Sequence, residues 1–107
     1  MTRQIKTPEF EGFIKVHQKG NEVTIGACDV ECIGLSLHEG KFQFQVTEAF
    51  FHGDRKPISQ IIPILQKSTN FTAVGEHLIS KLVELHIIHP GGILEIEGIP
   101  IAMKIIF

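Results

Sequence analysis

The stretch that decides the fold is NFTAVGEHLISKLVELHIIHPGG, residues 70–92. Apolar residues recur in it at helical spacing, and polar residues occupy most of the positions between them. This pattern predicts an amphipathic helix from Phe71 to about Leu85, with Asn70 as its N-cap. His86 stands where a helix often ends on a left-handed residue, and a corner of one Pro and two Gly residues follows.

The segments on either side of this helix have mostly strand character. Downstream, residues 93–107 are apolar, with a break at Gly98 and an edge, bulge or kink at Pro100. Upstream, alternating apolar and polar residues joined by a Gly-Asn turn predict a β-hairpin over residues 13–27. The remaining predictions are a short turn capped by Asp29, a strand over 42–47, a loop over 48–56 and a helix over 57–67 that bends or restarts at Pro63.

This order of elements predicts an α+β fold. The expected architecture is a small, mostly antiparallel β-sheet with two helices packed on one face. Its elements would be a β-hairpin, a short turn, a strand, two helices and a C-terminal strand or strands. Residues 12–107 would form a single domain, and residues 1–11 would be an N-terminal extension.

Composition and net charge limit the classes of protein to which this chain can belong. A chain of 107 residues with 43% apolar and 21% charged residues is typical of one globular domain. Ten Lys and Arg residues against 12 Asp and Glu residues give a net charge of -2, so no overall basic field attracts nucleic acid. No apolar run approaches the length of a membrane span, and the first residues lack the apolar core of a signal peptide. We therefore expect a cytoplasmic protein.

The cysteine and histidine residues do not form a recognisable metal or redox motif. Three residues separate Cys28 from Cys32, which fits neither a zinc knuckle nor a thioredoxin-like site. His86 and His89 fit a helix end, where an imidazolium interacts with the helix dipole, better than a zinc site. Activating either thiol would need a base that the sequence does not place. We predict no metal, no cofactor and no catalytic residue, with both cysteines acting as small apolar side chains.

A polar cleft is one candidate ligand site. If the sheet lies under the main helix, the strand end at Cys28 and Asp29 would meet the start of that helix at Asn70. N-capping alone would also explain Asn70, and a solvated helix face would explain Glu76. The candidate ligand-binding residues are Cys28, Asp29, Glu48, Asn70, Gly75 and Glu76.

A basic surface is the other candidate. A hairpin would be able to bring scattered Lys and Arg residues to one face, and Phe50, Phe51 and His52 would add rings that stack on bases. A solvated surface is the simpler interpretation of these charges. The candidate RNA-facing residues are Lys15, Lys19, Lys41, Arg55 and Lys56.

Four blocks of the sequence resemble a known family. They are ACDVECIG at 27–34, VTEAF at 46–50, NFTAVGE at 70–76 and GIPIA at 98–102. In order and spacing they are similar to the small archaeal family catalogued as domain of unknown function 424, from about Phe13 to the C-terminus. The matching residues are Cys28, Asp29, Gly34, Glu48, Asn70, Gly75, Glu76, Gly98 and Pro100.

The resemblance implies an archaeal, cytoplasmic, single-domain protein whose relatives are uncharacterised, with a suspected link to RNA or translation. The chain departs from the family pattern at three positions. Ile101 replaces the His that usually follows the Pro, His86 stands where Gly is frequent, and His89 replaces an Asp. Chemistry that depends on the missing His is therefore in question.

Three functions fit these observations. The favoured one is a non-catalytic interaction module, associated with RNA, a ribonucleoprotein or the translation machinery. The alternative is a small-molecule-binding or hydrolytic protein whose polar cleft combines Asp29, Glu48, Asn70 and Glu76. The third, a structural partner in a larger assembly, predicts an exposed apolar patch on the tail strand near residues 101–107.

Overall fold

The computed structural model of the protein describes residues 9–106. The strands are β1 (Glu11–Lys19), β2 (Glu22–Asp29), β3 (Ser36–Glu39), β4 (Phe42–Gln45), β5 (Asp54–Pro57), β6 (Asn70–Val74), β7 (Leu94–Ile96) and β8 (Ile99–Ile105). The helices are α1 (Glu48–Phe51), α2 (Ile58–Lys67) and α3 (Glu76–Glu84). Single 3-10 turns occupy Val30–Cys32 and Pro90–Gly92. Among the described residues, no helix is long and apolar enough to cross a membrane.

Six strands form one mixed sheet in the order β5-β1-β2-β6-β8-β7, and β3 and β4 form a separate two-stranded hairpin. Strands β2 and β6 are parallel, with Ile25 opposite Phe71 and Cys28 opposite Val74. The other pairs in the sheet are antiparallel. The carboxyl ends of β2 and β6 therefore meet at one end of the sheet, where Asp29 lies close to the start of α3.

The predicted architecture is wrong in the size, pairing and covering of the sheet. A small, mostly antiparallel sheet with two helices on one face was expected, whereas the structure has a six-stranded mixed sheet, an additional hairpin and three helices. The predicted loop over 48–56 contains the helix α1 and most of the strand β5. The helix is stabilised at its start because the Thr47 hydroxyl accepts the Phe50 N–H (3.2 Å). The predicted strand over 42–47 ends at Gln45, and Phe42 at its start is exposed.

The largest error concerns the start of the main helix. Residues Asn70–Val74 form a strand, and the helix begins only at Glu76, after Gly75. Phe71 and Val74 are spaced like one helical stripe, but in the strand they point to opposite faces of the sheet. Both faces are covered at this point, so both side chains are buried and the apolar pattern does not distinguish helix from strand.

Several local predictions are confirmed. Strands β1 and β2 form the expected hairpin, and α2 follows Pro57 as predicted. This helix runs unbroken from Ile58 to Lys67 with Pro63 inside it, so the predicted alternative of a restart at Pro63 does not occur. His86 has the expected left-handed conformation, with φ of 58°.

The predicted N-terminal extension, residues 1–11, is described only from Glu9 onward. Glu9 contacts α2, Phe10 contacts α3, and Glu11 is the first residue of β1.

Two apolar clusters cover the two faces of the sheet. On the helix face, α2 and α3 pack on Ile14, Ile25, Phe71 and neighbouring residues. On the opposite face, which we call the hairpin face, the β3–β4 hairpin and α1 pack on Phe13, Cys28, Val74, Ile101 and neighbouring residues. The hairpin face is covered only in part. Its uncovered part carries the side chains of Thr24, Asn70, Thr72, Met103 and Ile105.

Candidate functional site

Asp29 lies at the junction of β2, β6 and α3. Only 1% of the residue is exposed, and it is the only buried charged side chain among the described residues. Its Oδ2 accepts the His77 N–H (2.8 Å) and its Oδ1 accepts the Leu78 N–H (2.9 Å). Both carboxylate oxygens are therefore bound to free N–H groups in the first turn of α3, so Asp29 caps this helix from another strand. The predicted cap of the 3-10 turn by its side chain is absent.

Gly75 makes this capping geometry accessible. Its φ is 118°, and a Cβ at this position would lie 2.4 Å from Asp29 Cγ. The Gly75 N–H donates to the Pro100 carbonyl oxygen (3.0 Å), which connects the same junction to β8. A residue without a side chain is thus required both by the backbone conformation and by the close approach of the carboxylate.

The titration of Asp29 gives a prediction for stability. Burial raises the pKa of Asp29, and the N–H bonds from His77 and Leu78 oppose this shift. Because the folded protein then holds the proton more tightly than the unfolded chain, the contribution to stability is present at low pH and is lost as the pH rises through the folded-state pKa. We expect the free energy of unfolding of the wild type, measured by urea denaturation relative to Asp29→Asn, to fall as the pH rises above the ordinary pKa of an aspartate carboxyl and through the raised pKa of Asp29. A relative stability that increases with pH would contradict the assignment.

Cys28 and Cys32 belong to the apolar cluster on the hairpin face. They are 0% and 2% exposed, and both are free thiols. Burial raises the pKa of each thiol to about 12, and neighbouring acidic groups add to the shift. A thiol that stays protonated is a poor nucleophile, so both cysteines act as packed apolar residues in this arrangement.

Asp29, Glu31 and His77 bring three possible metal-ligating groups within 4.8 Å of one another. His77 Nε2 lies 3.5 Å from Glu31 Oε1, and the His77 ring stacks on Phe10 at a centroid distance of 3.5 Å. Both Asp29 oxygens accept backbone N–H groups of α3, so the capping role accounts for the position of Asp29 in this cluster. The prediction that the protein binds no metal stays a prediction.

A groove of about 540 Å³ lies beside this cluster, between the first turn of α2 and the exposed side of α3. Phe10 and His77 form part of its wall, together with Ser80, Lys81 and Glu84. Lys81 is paired with Glu84 (3.3 Å) within α3. None of the predicted site residues lines this groove.

The structure does not assemble the predicted four-residue cleft. Asn70 lies at the opposite end of β6 from Gly75 and pairs with Ile105 of β8, so the expected capping role and proximity to Asp29 are both wrong. Glu48 is exposed in the first turn of α1, and Glu76 is exposed in the first turn of α3. Of the predicted set, the structure brings together Cys28, Asp29, Gly75 and the backbone of Glu76.

The five predicted basic residues lie on three separate segments of the chain, namely β1, the turn between β3 and β4, and β5. Lys15 and Lys56 line a groove of about 290 Å³ that also contains Asp54. Arg55 is paired with Glu11 (3.0 Å). Lys19 ends β1 at the first hairpin turn, and Lys41 lies in the turn between β3 and β4. RNA association through these residues stays a prediction.

The outer edge of β8 contains none of the predicted site residues, although it lies in the tail for which an exposed apolar patch was one prediction. Strand β7 pairs only with residues 99–101, so among the described strands nothing pairs with the outer side of Met103 or Ile105. These side chains are 61% and 56% exposed, and Ile106 is 53% exposed. The apolar patch predicted near residues 101–107 is thus present over Met103–Ile106, although Ile101 itself is buried. Phe107 lies outside the described residues.

At this edge, the backbone N–H and C=O groups of alternate residues point outward in the plane of the sheet. The Ile106 N–H donates to Thr69 O (3.0 Å), and Pro100 O accepts from Gly75, so even-numbered residues of this segment face β6. Because successive residues of a strand direct their N–H and C=O groups to opposite sides, those of Met103 and Ile105 face the free edge. We call Met103–Ile106 the open edge.

The other sheet edge is protected by charge. Strand β5 carries Asp54, Arg55, Lys56 and Pro57, and the part of β1 beyond β5 carries Lys15 and Lys19. Charged residues and Pro are the usual means by which edge strands avoid pairing with another chain. The open edge has only Lys104, whose side chain points to the helix face.

Comparisons with known proteins agree with this fold. Residues 17–106 match the family model described as "Protein of unknown function (DUF424)". The crystal structure of an uncharacterized conserved protein from Methanopyrus kandleri is similar, with 18% sequence identity and a TM-score of 0.74. The similarity covers 88% of this chain and 90% of that chain, and at this identity it shows the fold alone. No curated protein is significantly similar to the chain.

Proposed function

Because the chain belongs to the DUF424 family of proteins of unknown function, we propose its role from its own surface: it is a non-catalytic interaction module that binds an extended polypeptide strand. The strand lies antiparallel or parallel to β8 along the open edge. The observation that carries this proposal is the row of outward N–H and C=O groups at Met103 and Ile105. A polypeptide strand satisfies such groups in the same way as a neighbouring strand of the sheet.

The side chains favour a strand with apolar residues at alternate positions. Met103 and Ile105 lie next to each other on the uncovered part of the hairpin face, beside Thr72 and Asn70 of β6. A bound strand would place every second side chain on this face, where it contacts the Met103 and Ile105 side chains. The partner that fits best therefore alternates apolar with polar residues.

The expected affinity is modest. Each new backbone hydrogen bond contributes about 0.5–1.5 kcal/mol net, and covering the exposed part of an Ile side chain adds about 1 kcal/mol. Ordering a flexible peptide offsets part of this gain. Binding over four residues would therefore be weak by itself and would need the correct alternation.

The test uses a fluorescent synthetic peptide of alternating Ile and Thr residues flanked by Lys. We expect it to bind the wild type and to shift the amide resonances of Met103 and Ile105 most strongly. Ile105→Lys should weaken binding at least about tenfold, because a charge on an edge opposes strand addition. Fluorescence anisotropy gives the dissociation constant.

Val16→Lys is the matched control. Val16 is also β-branched and 56% exposed, but it lies on β1 at the opposite side of the sheet. Its replacement should leave peptide binding unchanged. Equal loss in both variants, or resonance shifts confined to residues away from β8, would refute the proposal. A single-stranded RNA probe that binds through Lys15 and Lys56 while the peptide does not bind would likewise overturn it in favour of RNA association.

A further inference from the structure

We propose that the strand accepted at the open edge is β8 of a second copy of this chain, so that the protein forms a two-fold symmetric dimer with a continuous sheet. This inference rests on the proposed function, because it names the occupant of the same edge. The two β8 strands would run antiparallel, with Ile105 opposite Ile105 of the second copy. A closed two-fold arrangement uses the same edge on both subunits and leaves neither one open.

Strand β7 excludes one alternative register. If Met103 faced Met103 of the second copy, Ile101 would have to face Ile105 of that copy. The outer side of Ile101 is already paired with Leu94 of β7. The pairing must therefore be centred closer to the end of β8.

Charge disfavours the next register. If Lys104 faced Lys104 of the second copy, two ammonium groups would lie on directly opposed positions, where like charges are destabilising. Centring the pair on Ile105 instead places Lys104 opposite the apolar Ile106 of the second copy. The Ile105 backbone also has the outward N–H and C=O groups that a hydrogen-bonded pair requires.

The Ile105-centred register joins the apolar side chains of both copies. Ile105 and Met103 from each subunit would form one cluster on the hairpin face, beside the partly exposed Asn70 and Thr72. The contact is short, so it buries less than the about 1,200 Å² typical of stable complexes. We therefore expect a dimer that forms in a concentration-dependent way and dissociates on dilution.

The first measurement is sedimentation equilibrium of the full chain over a wide concentration range. The wild type should shift from monomer to dimer as concentration rises, whereas Ile105→Lys should remain monomeric throughout. Val16→Lys, the matched change on the other side of the sheet, should dimerise like the wild type. Circular dichroism of each variant establishes that the fold is retained.

Disulfide crosslinking tests the register. Ile105→Cys should form a covalent dimer under copper-catalysed air oxidation, because Cα atoms of a hydrogen-bonded antiparallel pair lie about 5.5 Å apart, within the range of a disulfide. The native Cys28 and Cys32 are buried and leave the new thiol as the accessible one. Met103→Cys and Val16→Cys, at similar exposure, should crosslink at least about tenfold more slowly because neither faces itself in this register.

The outcomes separate the two proposals. A wild type that stays monomeric at every concentration, or Met103→Cys crosslinking as fast as Ile105→Cys, overturns the self-pairing. If the alternating peptide still binds and Ile105→Lys still abolishes its binding, strand addition stands and the occupant is a foreign strand. If neither the peptide nor a second copy binds, both proposals fail together.

Discussion

Replacing Asp29 with Ala is expected to lower the free energy of unfolding by about 3–4 kcal/mol. The substitution removes two charge-assisted hydrogen bonds, from the His77 and Leu78 N–H groups, at a residue that is 1% exposed. Each orphaned N–H loses its only protein partner in a place that bulk water reaches poorly, and leaving a buried donor unsatisfied costs about 1–3 kcal/mol. The loss should exceed the effect of removing an ordinary exposed N-cap, which is about 1 kcal/mol.

Urea denaturation of three variants checks this expectation. Asp29→Asn keeps one acceptor oxygen and should lose roughly half as much stability as Asp29→Ala. Asp54→Ala, which removes an exposed carboxylate from β5, should change stability by less than about 0.5 kcal/mol. A loss below about 1 kcal/mol in Asp29→Ala would show that the cap is not what fixes α3 on the sheet.

The sequence predicts the local parts of this fold better than the long-range ones. The β1–β2 hairpin has a turn signal between two alternating runs, and α2 begins after Pro57, so both follow from neighbouring residues. The sequence predicts a helix from Phe71 because Phe71 and Val74 fit a helical stripe, and the alternation of the short strand Asn70–Val74 ends at Val74, which is buried on the opposite face from Phe71. The parallel pairing of β2 with β6 joins segments about 45 residues apart, and no local pattern specifies it.

The candidate site shows the same limit. The sequence indicates both Asp29 and Gly75 as candidate residues, but their contact depends on the β2–β6 register, which places one beside the other. The predicted proximity of Asn70 to these residues depends on a helix that begins at Phe71, whereas α3 begins at Glu76. The apolar patch at Met103 and Ile105 agrees with the apolar patch predicted for the tail, but the unpaired backbone edge beside it depends on β7 being shorter than β8, which the sequence does not specify.

The Asp29 junction and the open edge belong to one structural unit. Gly75 binds Pro100 of β8 through its N–H, while its neighbours in α3 are held by Asp29. Strand β8 is thus fixed at its first residues by the junction and at its centre by β6, which leaves its last residues as a well-supported edge. A rigid edge accepts a strand at lower entropic cost than a flexible one. Substitutions of Asp29 or Gly75 should therefore weaken strand binding at the open edge as well as lower the free energy of unfolding.

Gly75→Ala is expected to destabilise the protein by about 3–5 kcal/mol. A φ of 118° is strained for any residue with a side chain, which costs about 1–3 kcal/mol. The new Cβ would also lie 2.4 Å from Asp29 Cγ and 2.6 Å from Oδ2, so the buried carboxylate must move and loses its hydrogen bonds to α3. Gly20→Ala is the matched control, because Gly20 has a φ of +61° with no atom within 4 Å of its Cβ position. It should cost only about 1–2 kcal/mol.

A double-mutant cycle separates steric conflict from backbone strain. In Asp29→Ala/Gly75→Ala the carboxylate is gone, so the new Cβ no longer displaces Cγ or Oδ2 and only the backbone strain and the Asp29 Cβ contact remain. The combined loss in urea denaturation should therefore fall short of the sum of the single losses by about 1–2 kcal/mol. Strict additivity would mean that Gly75 is required for its conformation alone. A shortfall instead identifies the close approach of Asp29 as the reason that this position excludes a side chain.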